Sequence, residues 1–479
     1  MIKGLQGNFP VLQNFATITD IPRCSKEEGQ IRDFLVRWAK ERGLEVMVDE
    51  IQNVIVKKPA SLGYEDEPTV ILQGHMDMVC EAKKGHVHDF CKDPIEAKVD
   101  GDFIVAENTT LGADNGIAVA MMMAVLEGDF EHPALECLFT VDEETGMTGA
   151  INVDGSLLSG RTLINLDSED EGVITVGCAG GLVNNIAIRK AYKESDSDAF
   201  LEVAFGGFVG GHSGQDIDDE RGNPILQLAR VLKEAADMVD FDLADFSGGS
   251  KPNAIPRDAE AIVAVKAADK DALIEALHTN ADIVASEFKA TDPDIHLEIS
   301  DAEPKKVLSD AVKDGILGYL LTAPNGVNTF SKKIDGMVES STNIGVAKND
   351  DERIVFTSQI RSDVETKIRE IALKNRTAGE MAGAEYEELS AYPAWEYAET
   401  SSLREKAKEL WKSMYGEEPV VETIHAGLEC GLLQDAIGKM DMISVGPDMS
   451  GVHAPGEKLS ISSTERFYEY LLALLKLKG

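Results

Sequence analysis

The sequence predicts an α/β protein: a mixed, mainly parallel sheet with helices on both faces, interrupted by an inserted α+β domain. Three observations carry this expectation. Short apolar strands alternate with amphipathic helices across residues 1–185. From residue 186 the segments alternate apolar and polar residues, as in an antiparallel sheet with one wet face. After Tyr397 the first texture returns. The chain has 479 residues, well beyond the roughly 250–300 at which one core stops growing. One domain built from 1–185 and 400–479, with 186–399 inserted, is the simplest account.

Each element has its own signal. Residues 28–42 carry Ile31, Phe34, Leu35 and Trp38 on one helical face and stop before Gly43. Residues 46–48 and 54–57 are short strands around Gln52-Asn53, and 69–73 is an apolar strand after an acidic loop. Residues 116–126, with three successive Met, are a buried helix too short to span a membrane. Apolar strands follow at 135–141 and 162–166. In the insertion, 201–205, 261–265, 295–299 and 354–360 read as strands; 224–235, 270–289 and 364–382 read as amphipathic helices. A helix at 402–415 and a strand at 442–445 complete the first domain.

Composition excludes some functions. Lys and Arg number 46 against 85 Asp and Glu, a net charge of −39. That balance argues against reading a phosphate backbone or docking on an anionic membrane. A solvated acidic surface explains most of it. The first ten residues hold one Lys and no apolar stretch, so no secretory leader is expected. Six scattered Cys with no CxxC pair read as reduced thiols of a cytoplasmic protein.

The chemistry lies just after the strands. Residues 69–73 run into Gly74-His75-Met76-Asp77, 135–141 into Asp142-Glu143-Glu144, and 162–166 into Asp167. The strand at 442–445 runs into a Gly-rich loop carrying His453, and Asp114 precedes the Met-rich helix. In an open α/β sheet, sites form where loops leave the carboxyl ends of strands. Two His with several carboxylates suit zinc, with manganese or cobalt as substitutes. The Asp of a His-x-Asp pair can fix the imidazole tautomer. Of two adjacent Glu, one can bind metal while its neighbour acts as a base. A carboxylate shared by two ions would hold them about 3.5–4 Å apart. Taken singly, a His-x-Asp pair is usually an ordinary contact, Glu-Glu a solvated loop, and 167–171 a charged turn. Their joint placement at strand ends makes the case.

Gln73-Gly74-His75-Met76-Asp77, Gly112-Ala113-Asp114-Asn115, Asp142-Glu143-Glu144-Thr145-Gly146, Asn165-Leu166-Asp167 and Gly451-Val452-His453 resemble the dizinc exopeptidase family of aminoacylase, glutamate carboxypeptidase and carnosinase. The wording is nearest the branch that cleaves Xaa-His dipeptides. The resemblance implies a phosphorylase/hydrolase-like fold with a lid and dimerisation domain at 186–399. It implies that His75 and Asp167 hold one zinc, that Glu144 and His453 hold the other, and that Asp114 bridges them. Asp77 would support His75, and Glu143 would be the general base. Gly206-Gly207-Phe208-Val209-Gly210-Gly211-His212-Ser213-Gly214 resembles the family's lid loop. Its His212 would reach the active site of the partner in a homodimer and help bind the oxyanion. Asn253 and Arg361 resemble substrate-binding positions; for Arg361 the plain alternative is a surface salt bridge. The expected reaction is hydrolysis of dipeptides, including β-Ala-His. The rivals are an aminoacylase or metallocarboxypeptidase, a catalytically silent relative, and a metal-free glycosidase with paired carboxylates.

Overall fold

In a computed structural model of the chain, residues 2–334 and 336–478 are described. The chain forms two compact units: Met1–Gly177 with Trp395–Thr423 and Leu428–Gly479, and Cys178–Ala394 with Ile424–Gly427. The strand Gly180–Arg189 lies wholly in the second unit. The chain therefore changes unit at Gly177, a few residues before the texture of the sequence changes.

Among the described residues, the first unit is built on an eight-stranded sheet. Its centre is Leu135–Thr140, Val70–His75, Thr162–Asn165 and Asp441–Ser444, all mutually parallel. Glu45–Val48 and Val54–Lys58 extend one side antiparallel, and Val173–Cys178 runs antiparallel beside Asp441–Ser444. The central strands are apolar on both faces because helices cover both. Ala113–Glu127 is buried from Asn115 to Leu126, which explains its apolar circumference. Two helices the sequence reading passed over, Pro10–Ile18 and Ile461–Leu475, complete the cover. Pro10 opens the first at a position where a missing N–H costs nothing, and the Ser460 side chain caps the second.

Register sets the site. His75 pairs with Thr140, Gln73 with Asn165, and Ser444 also with Asn165. The parallel strands thus end level, and their following loops emerge along one edge. A polar floor lies just inside it. Gln73 Nε2 donates to Glu429 Oε2 at 2.6 Å and to Thr140 Oγ1 at 3.1 Å. Thr140 Oγ1 donates to Glu429 Oε2 at 2.7 Å, and Asn165 Nδ2 donates to Gln73 Oε1 at 2.6 Å. Gly74 is dictated by packing: a Cβ there would fall 2.6 Å from Ala118 Cβ.

The second unit is a nine-stranded antiparallel sheet among the described residues. It carries the helices Pro224–Ala236, Lys270–Glu287, Asp310–Thr322 and Glu365–Met381.

One expectation is overturned. Cys24 and Cys80 are not separate reduced thiols but form a disulfide, with Cα atoms 5.7 Å apart. Cys24 bridges the backbone of Met78, which sets the two side chains together across 56 residues of sequence. Spacing alone gives no hint of such a tertiary pairing. The other four cysteines stand outside the disulfide. Unfolded, unreduced protein should therefore show four reactive thiols, rising to six after reduction. Six thiols before reduction would contradict the pairing.

Candidate functional site

Each loop at the strand edge is held by a specific contact. Asp77 Oδ1 accepts from Glu143 N at 3.1 Å, and Oδ2 accepts from Glu144 N at 3.3 Å and Ser25 Oγ at 2.7 Å. The same Oδ1 lies 3.2 Å from His75 Nδ1. One carboxylate therefore orients an imidazole and the Glu-Glu pair together. Asp142 accepts from Thr148 Oγ1 at 2.6 Å and from Thr145 Oγ1, fixing the short turn that presents Glu143 and Glu144. Asn115 Oδ1 accepts from His75 N at 3.2 Å, while its Nδ2 donates to Leu166 O at 2.8 Å. This ties the Asp114 loop to the segments of His75 and Asp167. The Asp114–Asn115 peptide is cis.

The five residues expected at metal converge. His75 Nε2 lies 3.1 Å from Asp114 Oδ1 and 3.6 Å from Asp167 Oδ1. His453 Nε2 lies 2.9 Å from both Asp114 Oδ2 and Glu144 Oε2. Asp114 thus presents one oxygen to each imidazole. His75, Asp114 and Glu144 each offer a ligand atom within 4.8 Å of the others.

The electrostatics ask for positive charge. Burial opposes a charged His75, yet Asp167, Asp114 and Asp77 raise its pKa well above the ordinary histidine value. Asp114 and Glu144 hold the His453 pKa up at about 11. Burial works against ionised Asp77, but His75, Ser25 and the Glu143 N–H hold its pKa down. Burial pushes Glu143 well up; His75 opposes this, and Glu429, Glu144 and Asp114 reinforce it. Asp167 is likewise raised by burial, with Asp114 and Glu143 adding to it. Glu144 Oε1 is buried without a hydrogen-bond partner among the described residues. An orphaned carboxylate oxygen beside two imidazoles and two more carboxylates fits a divalent ion.

Sequence reading missed several supports. Glu429, 0% exposed, has its pKa raised to about 7 by burial and forms the polar floor. Its place inside the run Leu428-Glu429-Cys430-Gly431-Leu432-Leu433 was the available signal. Arg23 donates to Asp77 O at 2.8 Å and to Met76 O at 3.3 Å, with no sequence cue beyond a nearby Pro.

The second unit gathers another cluster. His212 lies on the short strand Gly211–His212, paired to Ala254–Ile255. Its Nδ1 accepts from Gly214 N at 3.3 Å and Gln215 N at 3.0 Å. The neutral ring must then carry its proton on Nε2. Burial, then the Arg361 charge, lowers the His212 pKa and keeps it neutral. Arg361 is 5% exposed and donates to Tyr392 Oη at 3.0 Å, so it is a buried cation, not a surface salt bridge. Its Nε has no partner among the described residues. His425, unremarked in the sequence, sits with them: its Nε2 lies 2.7 Å from Ser341 Oγ. Burial, then Arg361 and His212, press its pKa down to about 3. Asn253 is exposed in a turn, and its carbonyl accepts from Ser213 N at 3.0 Å.

Fold and site together define an α/β protein with a carboxylate–imidazole centre of the metallohydrolase kind at its strand ends. The profile of Peptidase family M20/M25/M40 matches residues 71–477. The chain belongs to that family. It is 38% identical over 471 residues to the cytosol non-specific dipeptidase of Escherichia coli (strain K12), covering 98% of this chain and 97% of that one. The crystal structure of aminoacylhistidine dipeptidase from Vibrio alginolyticus superposes with TM-score 0.89 at 36% identity, covering 98% of this chain and 96% of that one. An aminopeptidase of Bacillus cereus ATCC 10987 shares the fold, at TM-score 0.56 and 15% identity, with 98% of each chain covered. Membership in a peptidase family sets the glycosidase rival aside.

His425 generates a pH prediction. The folded chain keeps it neutral down to about pH 3, whereas the unfolded chain protonates it near 6.5. Its contribution to stability is therefore present above the unfolded value and lost as pH falls below it. Between pH 6.5 and about pH 5 this loss is about 2 kcal/mol. His425→Gln should flatten the fall in urea midpoint over that interval. An undiminished fall would contradict a buried neutral His425.

Proposed function

We propose that the chain is a metal-dependent dipeptidase that cleaves dipeptides, Xaa-His substrates such as β-Ala-His among them. The observation that carries the reading is Asp114, whose two oxygens face the two imidazoles separately. The names of the Escherichia coli and Vibrio alginolyticus relatives support the substrate class. His75 and Asp167 would hold one ion, Glu144 and His453 the other, and Asp114 both. Zinc suits this donor set best, with manganese or cobalt as substitutes. Bound ions would polarise the scissile carbonyl and acidify the attacking water.

The chain's own groups do the rest. Asp77 fixes the ring of His75 and the backbone of Glu143. Glu143, its pKa raised, takes the proton of the attacking water and returns it to the leaving amine. His212 offers a neutral Nε2–H to the developing oxyanion. Arg361 offers its guanidinium to the dipeptide carboxylate, with Asn253 alongside. Residues 186–399 would act as a lid and dimerisation domain, His212 serving the partner's site in a homodimer. The dipeptidase would work in the cytoplasm, as the name of the Escherichia coli relative says of that protein.

Glu143→Ala should abolish turnover of β-Ala-His while retaining bound metal; near-normal hydrolysis would refute the base. His453→Ala should lower metal occupancy by elemental analysis, and unchanged occupancy would remove it from the ligands. Mixing inactive His212→Ala and Glu143→Ala proteins should restore activity if His212 works across subunits. Absence of restoration, with mixed dimers shown to form, would refute that arrangement. A panel with acetylated amino acids and longer peptides separates dipeptidase from aminoacylase and carboxypeptidase.

A further inference from the structure

The Glu457 carboxylate, 1% exposed, accepts four successive backbone N–H groups. Its Oε2 takes Leu111 N at 2.6 Å and Gly112 N at 2.9 Å; its Oε1 takes Ala113 N at 2.7 Å and Asp114 N at 3.3 Å. Four donors curl around one carboxylate because Gly112 adopts φ 69, in the left-handed region. A Cβ at Gly112 would be strained at this positive φ and would push aside Met78 Sδ, 2.6 Å away. Arg23, 2% exposed, closes the other side by donating to Gly112 O. Burial lowers the Arg23 pKa to about 10, and Glu457 is the foremost charge opposing that fall.

Glu457 also belongs to the loop of His453. Its N–H donates to Ala454 O at 3.2 Å, and Gly456 N donates to Ala106 O at 2.9 Å and Thr109 O at 3.3 Å. The His453 side chain itself is 51% exposed, so packing alone does not hold it. Two loops far apart in sequence are thereby fastened to one side chain. One presents Asp114 and the other presents His453, whose facing atoms lie 2.9 Å apart.

We propose that Glu457 is a positioning residue that sets the spacing between Asp114 and His453, and so the affinity of the ion they share. The inference rests on the metal-centre reading above. A carboxylate is required because four N–H donors need acceptor sites on both oxygens. A Gln would turn an NH2 group toward two of them and remove the foremost charge facing Arg23. An Asp would keep the charge but fall short by one methylene.

The test is zinc titration of chelator-stripped protein by calorimetry, comparing wild type with Glu457→Gln and Glu457→Asp. Melting temperature, kcat and KM for β-Ala-His are recorded alongside. The expected result is that one zinc binds at least about tenfold more weakly in both variants, the scale of losing a support behind a ligand. The second zinc, which shares Asp114 but is held also by His75 and Asp167, should be weakened less. The variants should lose kcat far more than they raise KM, and added zinc should restore kcat most fully in Glu457→Asp. Wild-type affinity for both ions in either folded variant would overturn the proposal, even if its melting temperature falls. If Glu457→Gln does not fold, Glu457→Asp decides alone; if neither folds, Glu457 serves the fold and the proposal fails. Wild-type protein that takes up no zinc would instead overturn the metal-centre reading.

Discussion

Asp114 is the point on which the site turns. One carboxylate, almost enclosed, meets His75 with one oxygen and His453 with the other. Around it stand Asp77, Glu143, Glu144, Asp167 and Glu429, all buried or nearly so. So many carboxylates cannot remain charged in a dry interior without cations between them. The two imidazoles are pulled toward their protonated forms for this reason. The constraint is thus electrostatic first: the fold concentrates negative charge at one sheet edge, and a divalent ion answers it.

The architecture serves that concentration. Parallel strands ending level bring His75, Asp167 and the Glu143-Glu144 turn to one edge. Gln73, Thr140, Asn165 and Glu429 make the floor beneath, each strand residue lying two to four positions before the group it supports. Above the floor, Asp77 orients His75 and the Glu-Glu turn together. Buried hydrogen-bond networks of this kind fix geometry because breaking any member strands the others. In the second unit the logic is reversed. Burial, with the Arg361 charge added to it, keeps His212 and His425 neutral, so this cluster combines one fixed cation with neutral imidazoles.

Much of this was legible in the sequence, for a physical reason. Strand-end placement is a local pattern, an apolar run followed by His, Asp or Glu, and four such runs share one logic, with Asp114 at the start of the Met-rich helix beside them. The Met-rich helix was legible because its circumference is apolar. The supports were not, because each acts on residues far from it in sequence. Glu457 lies four residues after His453 but works on residues 111–114. Glu429 reads as one more acid until its strand partners are in place. Arg23 and the Cys24–Cys80 pair depend on a loop crossing that no spacing announces. His425 takes on its lowered pKa only once buried beside Arg361 and His212. Arg361 itself was left open between substrate contact and surface ion pair, since burial cannot be read from a strand with loose alternation.

The central claim is that Asp114 is shared by two ions. It is tested most directly by anomalous diffraction at the zinc edge from crystals of zinc-loaded protein. The account predicts two peaks about 3.5–4 Å apart, one on each side of the Asp114 carboxylate, flanked by His75 and His453. A single peak, or two that both lie away from Asp114, would contradict it.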